Sequence, residues 1–489
     1  MSPMNILIAR FTSPLNRSVV EKVFKGIEIG YYGCLSSRSE AFLPLHAKER
    51  AFFDTRQMKW GEYKIDWSTV APLDEEIVEH MRSCEAVFLE MLSRLEERRY
   101  LRYEDRKRLY LIHLRYWNHL LDKKKINFFL SVGMPHETPD YVIYCLCKAK
   151  GIKTLYFLSC PVKDTLFMAE DPRQSVVELK ERFQFYRGPK DIVLSDTFER
   201  YYQRQISDPD PKPWGVQRFP TPRERWWIKI VDILKKNPIN FLWSVLCFIG
   251  RKFTPYYWMD ALEQHQKYSR TKKAIAFYEY HAREPDLSRR YIYIPLHVQP
   301  ECSTCPLGGA FGDQQLMVAL IAAYLPDDVF LYVKEHPNQF AQYPDGRCRD
   351  IAFYRELLGT KNVRFIPKST NTFKLTEHAL AVATVTGVAG FEALFRGKPT
   401  MMFGNYLYQY APGVFPIKTR EDCKNAMEKI LGGQAGPAFH EMRAFLKGME
   451  DIAIRGYFDA PALYNVPPSM PAGESVANIV KALRKLIME

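Results

Sequence analysis

Apolar runs and segments of helical periodicity alternate in two parts of the chain. In the first part, residues 4–9 predict a buried strand and residues 16–26 predict a helix. Residues 126–159 predict a strand, a helix and a second strand, which together make a βαβ unit. The charged segment at 74–124 has a helical pattern. We therefore expect a parallel sheet in this part of the chain.

The same alternation returns at residue 290 and continues for more than a hundred residues. Each apolar run there is followed by a helical pattern, which is typical of a doubly wound parallel sheet. We expect strands within 290–301, 329–337, 363–367, 380–385 and 399–404, and helices near 313–325, near 371–379 and after Gly387.

A chain of 489 residues is too long for one ordinary core. The predicted fold class is α/β, with two Rossmann-like doubly wound domains that face a cleft and a basic helical insertion between them. The predicted units are an N-terminal α/β domain at 1–204, a basic, aromatic-rich helical insertion or linker at 205–285, a C-terminal α/β domain at 286–455, and a tail at 456–489. The tail carries one helical apolar stripe, formed by Val476, Ile479, Val480 and Leu483.

Positive charge is concentrated in the segment 205–285. The whole chain has a formal net charge of +13, which favours anionic partners. Between Lys212 and Lys273 there are thirteen Lys and Arg residues against four Asp and Glu residues. This segment is either a helical subdomain with a solvated basic face or a contact with an anionic membrane surface. In the second case the aromatic side chains that enter the lipid would be Trp226, Trp227, Trp243 and Phe248.

Three classes of protein are not expected from the sequence. The longest apolar run, 239–250, is shorter than the roughly 20 residues that span a bilayer. The basic residues cluster in one segment without a recognition module, so we expect no nucleic-acid partner. The single C-x-x-C pair, Cys302 and Cys305, has no second pair, which favours a loop with free thiols over a zinc site. With no signal-peptide pattern at the N-terminus, we expect a cytoplasmic protein.

Small residues follow the apolar run at 380–385. Thr386, Gly387 and Gly390 allow a sharp turn and a close approach to the backbone. The helix that follows directs its first N–H groups at that space, which favours phosphate. Glu392, one turn into the helix, is placed to accept hydrogen bonds from ribose hydroxyls. The alternative is a tight β–α turn in which Glu392 is only a carboxylate near a helix N-terminus.

Three further stretches place polar side chains after predicted strands. Lys334, His336 and Pro337 end one strand, and a His there binds a phosphate oxygen or protonates a leaving group, unless it is a hydrogen-bonded loop residue. The loop after the first strand of the second half carries three polar groups that face the cleft or form an ordinary loop. They are His297, Gln299 and Glu301.

The matching edge of the first half carries His136 and Glu137, in a turn with two prolines. A base at this position would take the proton of an acceptor hydroxyl. The alternative is that both residues cap the following helix. Asp171 is a more distant candidate.

The motifs YIYIPLHVQPECSTCPLGG, LYVKEHPNQ and TVTGVAGFEALFRGKP together resemble bacterial capsule polysaccharide biosynthesis proteins, which include Kdo-transferases. The His-Pro pair and the small-residue turn are similar to those of bacterial sialyltransferases, which use CMP-activated acidic sugars and have the GT-B fold. The resemblance implies that His336 contacts the nucleotide phosphate, that Thr386 and Thr384 hold phosphate, and that Glu392 contacts ribose. It covers residues 290–420 well and residues 126–171 more loosely. The acidic cluster that supplies the base in sialyltransferases has no clear counterpart here.

The expected function is a glycosyltransferase of capsular or surface polysaccharide, with residues 1–204 on the acceptor side and residues 286–455 binding the nucleotide sugar. The expected donor is a CMP-linked acidic sugar such as Kdo or a sialic-acid-like sugar, and the acceptor is a glycan or a lipid-linked glycan at the inner face of the membrane. No cofactor and no metal are expected. The alternatives are a UDP-sugar or CDP-polyol transferase, a sugar-nucleotide epimerase, and a non-catalytic scaffold of capsule assembly or export.

Overall fold

The computed structural model describes residues 3–92, 101–188, 191–208, 255–342, 348–433, 435–458 and 468–488. Two β-sheets organise these residues, one in each half of the chain. The predicted α/β class with two doubly wound domains is thereby confirmed.

The N-terminal sheet has seven strands in the order β13-β6-β5-β4-β1-β2-β3. Strands β1 to β5 are parallel, and β6 and β13 are antiparallel additions at one edge. The strands are β1 (Met4–Ala9), β2 (Ile29–Ser36), β3 (Ala47–Asp54), β4 (Phe128–Ser131), β5 (Lys153–Ser159), β6 (Thr165–Ala169) and β13 (Ile454–Arg455).

The C-terminal sheet has six strands, all parallel, in the order β12-β11-β10-β7-β8-β9. Near-continuous apolar strands such as these are expected where helices cover both faces of a sheet. The strands are β7 (Arg290–Pro295), β8 (Val329–Lys334), β9 (Val363–Ile366), β10 (Ala381–Thr384), β11 (Thr400–Met402) and β12 (Val414–Pro416).

The helices of the N-terminal half include one near 14–24, as predicted, and a pair that was not predicted at 178–207. These helices are α1 (Pro14–Phe24), α2 (Thr55–Met58), α3 (Glu75–His80), α4 (Arg82–Met91), α5 (Tyr103–Lys123), α6 (Thr138–Ala149), α7 (Glu178–Tyr186) and α8 (Asp196–Ser207). The later helices are α9 (Pro255–His281), α10 (Gln314–Ala322), α11 (Gln339–Gln342), α12 (Ile351–Gly359), α13 (Thr372–His378), α14 (Val388–Leu394), α15 (Arg420–Leu431), α16 (Phe439–Ile452) and α17 (Ala472–Met488).

Side-chain caps fix where several of these helices begin. The hydroxyl of Ser13 accepts from Asn16 N–H at 3.1 Å at the start of α1. The side chain of Asn371 accepts from Phe373 N–H and Lys374 N–H at the start of α13. Each cap satisfies N–H groups that have no partner within their helix, so the helix starts stay at the ends of the strands that precede them.

The last part of the chain returns to the N-terminal domain. Helix α16 packs against α7, and β13 pairs with β6 at the edge of the N-terminal sheet. Helix α17 packs against α1 through the predicted stripe, in which Val476, Ile479 and Leu483 are buried and Val480 is partly buried. The predicted boundaries at 286–455 and 456–489 therefore do not match the structure, because a helical stripe predicts an apolar face but not the domain that covers it.

The predicted insertion at 205–285 is described only at its two ends. Within it, α9 packs on the C-terminal sheet, and Ala274 and Tyr278 belong to that domain's core. This part is thus a helix of the C-terminal domain and not of a separate linker. The four aromatic residues of the membrane hypothesis lie outside the described residues.

One continuous core joins the two halves. Phe391 and Phe395, on and just after α14, pack with Tyr201 of α8 and Phe445 of α16. The phenol of Tyr406 also donates to the Ser159 carbonyl at 3.3 Å. These contacts are mainly aromatic and buried, and they hold the two halves against each other.

Candidate functional site

The loops after β7 and β10 meet at the point where the strand order of the C-terminal sheet reverses. Strands β8 and β9 lie on one side of β7, and β10, β11 and β12 lie on the other. In an open parallel sheet, ligands bind in the crevice outside the carboxyl ends of the strands at such a switch point. His297 follows β7 and Thr384 ends β10, so both predicted candidates lie at this crevice.

His297 fastens the turn that follows β10. Its Nε2 lies 2.9 Å from the Thr384 hydroxyl and accepts from Thr386 N–H at 3.3 Å. The same hydroxyl accepts from Gly387 N–H at 3.0 Å, so it donates its own proton to His297. Burial lowers the pKa of His297 to about 3, and the charges of His336 and Arg349 contribute. The imidazole is therefore neutral and acts as an acceptor at Nε2.

This network uses groups that the sequence assigns to phosphate. The Thr384 hydroxyl and the N–H groups of Thr386 and Gly387 are bonded within the protein, and the Thr386 hydroxyl donates to the Ser303 carbonyl at 2.8 Å. Gly390 N–H donates to the Gly387 carbonyl at 3.1 Å, so the N–H groups at the start of α14 that the helix itself does not bond are those of Val388 and Ala389.

The two glycines of the turn serve packing. A Cβ at Gly387 would lie 2.7 Å from the Thr384 hydroxyl, and one at Gly390 would lie 2.7 Å from Thr400 Cγ2 and from the Tyr408 hydroxyl. Both approaches are closer than real contacts, so neighbouring protein atoms already fill the space that a side chain would need. The small residues bring α14 close to the sheet, which is a different reason for glycine from the predicted approach of a ligand.

His336 lies at the exit of β8 and is partly buried, and Pro337 after it is exposed. Its Nδ1 accepts from Asn338 N–H at 3.1 Å, so the proton of the neutral ring lies on Nε2. Burial lowers the pKa of His336 to about 4; Glu335 opposes this shift, and Lys334 and Arg349 add to it. The residue thus offers an N–H donor without a permanent charge.

A buried ion pair that the sequence did not reveal lies behind both histidines. Arg349 Nε lies 2.7 Å from Glu335 Oε2, and both side chains are fully buried. The same guanidinium donates to the His297 carbonyl at 2.9 Å and to Gln299 Oε1 at 2.6 Å. Glu335 also accepts from His336 N–H at 2.7 Å. Arg349 therefore ties the loop after β7 to the loop after β8.

Lys334 points into the protein at the end of β8. Its ammonium donates to the Thr370 carbonyl at 2.5 Å and to the Thr372 hydroxyl at 2.9 Å. Burial lowers its pKa to about 8. These bonds hold the loop between β9 and α13, so at least two of its three donors are used within the protein.

Glu392 is buried on α14, with 7% of its surface exposed. Burial raises its pKa to about 7, and the neighbouring Arg396 and Arg204 oppose the shift. Arg204 belongs to α8 of the N-terminal half, so the carboxyl group lies between the two halves. The predicted contact with ribose stays a prediction.

The loop that follows β7 contacts the N-terminal half, and the orientation of its polar side chains towards a cleft stays a prediction. The Cys305 thiol donates to the Val87 carbonyl at 3.7 Å. Gln299 N–H donates to Gln339 Oε1 at 2.8 Å, and the Glu301 carboxylate accepts from the Ser303 hydroxyl at 3.2 Å. Gln299 is thus a structural residue of the loop, and Glu301 is partly buried.

The switch point of the N-terminal sheet lies between β1 and β4, and His136 and Glu137 follow β4 there. Arg10, at the end of β1, lies 2.8 Å from Asp140 Oδ2 and 3.6 Å from Glu137 Oε1. Its Nη1 lies 3.0 Å from His136 Nδ1. Asp140 Oδ1 accepts from Glu137 N–H at 2.8 Å, so Glu137 opens α6 as the capping alternative proposes.

Arg10 and Asp140 are the residues of this cluster that the sequence did not single out. Asp140 is buried, and burial raises its pKa to about 7 while Arg10 opposes the shift. A single acidic residue near the start of a helix does not by itself indicate a buried carboxyl group. Asp171, the more distant candidate, accepts from Arg173 N–H at 2.8 Å and lies 3.8 Å from Lys148 Nζ.

The part of the chain that the structure describes contains no group of three His, Cys, Asp or Glu residues placed to hold a metal ion. None of the described helices is both long and apolar enough to cross a membrane.

Three solved structures that match the chain have low sequence identity and low TM-scores. The KpsC β-Kdo 2,7 transferase of Thermosulfurimonas dismutans is 10% identical, with 98% of this chain and 99% of that chain covered and a TM-score of 0.33. The KpsC β-Kdo 2,4 transferase of the same organism is 12% identical, with 65% and 79% covered and a TM-score of 0.28. The UDP-GlcNAc 2-epimerase of Methanocaldococcus jannaschii is 11% identical, with 90% and 98% covered and a TM-score of 0.24. No curated protein matches the sequence significantly.

The family model described as capsule polysaccharide biosynthesis protein matches residues 250–427. This range contains the three motifs that carry the sequence resemblance, together with all six strands of the C-terminal sheet. The similarity to sialyltransferases stays a prediction. This region of the chain is similar to the capsule polysaccharide biosynthesis family.

Proposed function

We propose that the chain is a glycosyltransferase of capsular or surface polysaccharide biosynthesis that takes its sugar from a nucleotide-activated donor. The observation that carries this proposal is the meeting of the His297-fastened turn, the start of α14 and His336 at one switch point, within the region that matches the capsule family. Such a crevice is where an open parallel sheet binds nucleotides.

The donor phosphate would lie against His336 and the start of α14. The Nε2–H of His336 is available because Asn338 N–H occupies Nδ1. The first N–H groups of α14 add further donors, and their partial positive charge also favours an anionic phosphate. As the bond between the anomeric carbon and the phosphate oxygen breaks, its electron pair moves to that oxygen, and these donors offset the charge that develops there.

The acceptor would lie against the N-terminal edge. Its hydroxyl oxygen forms the new bond to the anomeric carbon, and its proton passes to a base. His136 and Glu137 are the residues we propose for this step. Arg10 lies beside both, with Nη1 at 3.0 Å from His136 Nδ1 and Nη2 at 3.6 Å from Glu137 Oε1, so it helps to hold the two side chains at this edge.

A CMP-linked acidic sugar is the donor that the sequence resemblance favours. A lipid-linked acceptor at an inner membrane surface would agree with the net charge of +13. We also propose a cytoplasmic, peripheral location for this reason. Glu392 would contact the ribose from the side of α14.

Calorimetry with CMP, CDP, UDP and GDP tests the proposal. We expect the wild type to bind CMP and the His336→Ala variant to bind it about ten- to hundredfold more weakly, the range that loss of a hydrogen bond to a charged group produces. His440→Ala is the matched control, since His440 is an exposed histidine on α16 and should leave binding unchanged.

Each of the other outcomes of the calorimetry leads to a different conclusion. Preference for UDP or CDP would keep a nucleotide-sugar enzyme and overturn the CMP donor. If none of the four nucleotides bound, the transferase would be refuted in favour of the scaffold alternative. Equal weakening by both histidine variants would refute the placement of the phosphate at His336.

A further inference from the structure

A cavity of about 460 Å³ lies at the carboxyl edge of the N-terminal sheet, away from the residues assigned above. Its walls are the loops after β1, β2 and β3, which meet because these three parallel strands are neighbours. Three arginines line it, namely Arg17, Arg38 and Arg56, and Glu40 is the only acidic lining residue. Its volume lies within the range of small-ligand sites.

The protein holds two of the three guanidinium groups in place. Arg17, on α1, donates through Nη1 to the Glu40 carbonyl at 2.7 Å, a bond that orients the group without neutralising it. Arg56 lies 2.6 Å from Asp54 Oδ2 and donates through Nε to Oδ1 at 3.0 Å. Arg56 is therefore partly neutralised, and the excess of positive charge comes from Arg17 and Arg38.

Arg38, like Arg56, has an exposed side chain, and its backbone is fixed. Its N–H donates to the Ser36 hydroxyl, and that hydroxyl donates to its carbonyl, both at 3.0 Å. The neighbouring Ser37 and Ser39 add hydroxyls to the lining. Guanidinium and hydroxyl donors that converge on one cavity match the geometry of carboxylate and phosphate groups.

We propose that this cavity binds an oxyanion, a carboxylate or a phosphate, carried by the acceptor. The identification of the carrier as the acceptor rests on the proposed function; the anion site itself does not. Thr12 lines the cavity and its N–H donates to the Arg10 carbonyl at 2.9 Å, so the loop after β1 joins the cavity to the cluster that contains His136. Neighbouring strands are about 4.8 Å apart, so the β2 and β3 loops lie roughly 5 and 10 Å along the edge from this cluster. An anionic group at that distance would hold the acceptor by its end while a hydroxyl reaches the proposed base.

Two soluble probes distinguish the two sources of such an anion. Glucuronate carries the carboxylate of an acidic sugar, and glycerol 1-phosphate carries the phosphate of a lipid headgroup. We expect calorimetry on the full chain to show millimolar binding of at least one probe and no binding of glucose. Preference for glucuronate would assign the site to a glycan, and preference for glycerol 1-phosphate would assign it to a lipid headgroup.

Substitution of Arg38 tests whether the probe binds in this cavity. We expect Arg38→Gln to weaken binding of the preferred probe about tenfold, and Arg38→Lys to weaken it less, because the charge stays but the fork of donors is lost. Arg355→Gln is the matched control, since Arg355 is an exposed arginine on α12 and its loss changes the net charge equally.

Three results would overturn the proposal. These are no binding of either probe, equal weakening by Arg38→Gln and Arg355→Gln, and binding that is lost in His336→Ala but kept in Arg38→Gln. Because the probes contain no nucleoside, failure here is separate from failure of nucleotide binding at His336.

Discussion

Replacement of Arg349 by methionine tests whether the buried ion pair supports the candidate site. The change would leave the fully buried Glu335 without its cation, and it would leave the His297 carbonyl and Gln299 Oε1 without their donor. Removal of one partner of a buried pair costs about 3–5 kcal/mol, because the remaining charge stays desolvated. Tyr354, whose hydroxyl lies 2.6 Å from Glu335 Oε2, would be the main remaining donor from a side chain.

The expected loss is large enough to measure by calorimetry or by circular dichroism during heating. In a domain of 150–250 residues, 1 kcal/mol corresponds to roughly 2–4 °C in Tm, so Arg349→Met should lower the Tm of the C-terminal domain by about 6–20 °C. The double variant Glu335→Gln/Arg349→Met should recover part of this loss, because a neutral amide is cheaper to bury than a lone carboxylate. Arg355→Met, on the exposed face of α12, the helix that follows Arg349, should change Tm by less than about 2 °C.

Two results would refute this reasoning. A Tm for Arg349→Met within about 2 °C of the wild type would show that the pair contributes little. A double variant no more stable than the single one would show that the loss comes from packing of the arginine, which stacks 4.3 Å over Phe353, and not from the unpaired carboxylate.

Three further predictions follow from particular contacts. The pKa of His297 is about 3, below the usual 6.5, so the unfolded chain binds more protons than the folded one as pH falls from 6.5 towards 3, and the protein loses stability across that window. In thermal melts at several pH values, His297→Gln should lose less stability over this range, because glutamine keeps an acceptor and does not titrate. An unchanged dependence of Tm on pH in this variant would contradict the low pKa of His297. Gly390→Ala places a Cβ 2.7 Å from Thr400 Cγ2 and should cost about 1–3 kcal/mol in the free energy of unfolding measured by denaturant titration, whereas Gly359→Ala meets no atom within 4 Å and should cost less than about 0.5 kcal/mol. If His136 is the base, His136→Ala should lower turnover about 10²- to 10⁴-fold and leave calorimetric nucleotide binding unchanged. The opposite result, a loss of turnover of that size in Glu137→Ala and none in His136→Ala, would assign the role to Glu137.

Periodicity predicted the elements of the C-terminal sheet because most positions of each strand there are apolar. The strand expected at 329–337 is observed at Val329–Lys334, and the helix expected at 371–379 is observed at Thr372–His378. The first 60 residues gave less, since β2 and β3 lie towards one edge of the sheet and carry polar residues such as Glu49 and Arg50. An edge strand needs apolar residues on fewer positions, so its pattern is weaker.

The tertiary partners of a segment have no comparable signal in the sequence. The stripe on α17 predicted a buried face, but the choice of α1 as its neighbour depends on the path of the chain after residue 433. Arg349 is similar, because a lone arginine before a helix looks like a surface residue until Glu335 and Gln299 are known to face it. The hydrophobic pattern therefore indicates the strand ends at the two switch points, but it gives no sign of the buried charges that hold those ends.

The two switch points differ in charge, and this difference bears on which half takes which substrate. At the C-terminal crevice, the contact across the switch is a neutral hydrogen bond between His297 and Thr384. At the N-terminal crevice, it is an ion pair between Arg10 and Asp140, with His136 beside it. A neutral, rigid floor leaves the N–H donors in front of it to act on an anionic leaving group. At the N-terminal crevice the guanidinium of Arg10 instead holds the imidazole in place beside a buried carboxylate. We therefore propose that the nucleotide binds at the C-terminal crevice and that proton transfer takes place at the N-terminal one, and the variants at His336 and His136 should separate binding from turnover accordingly.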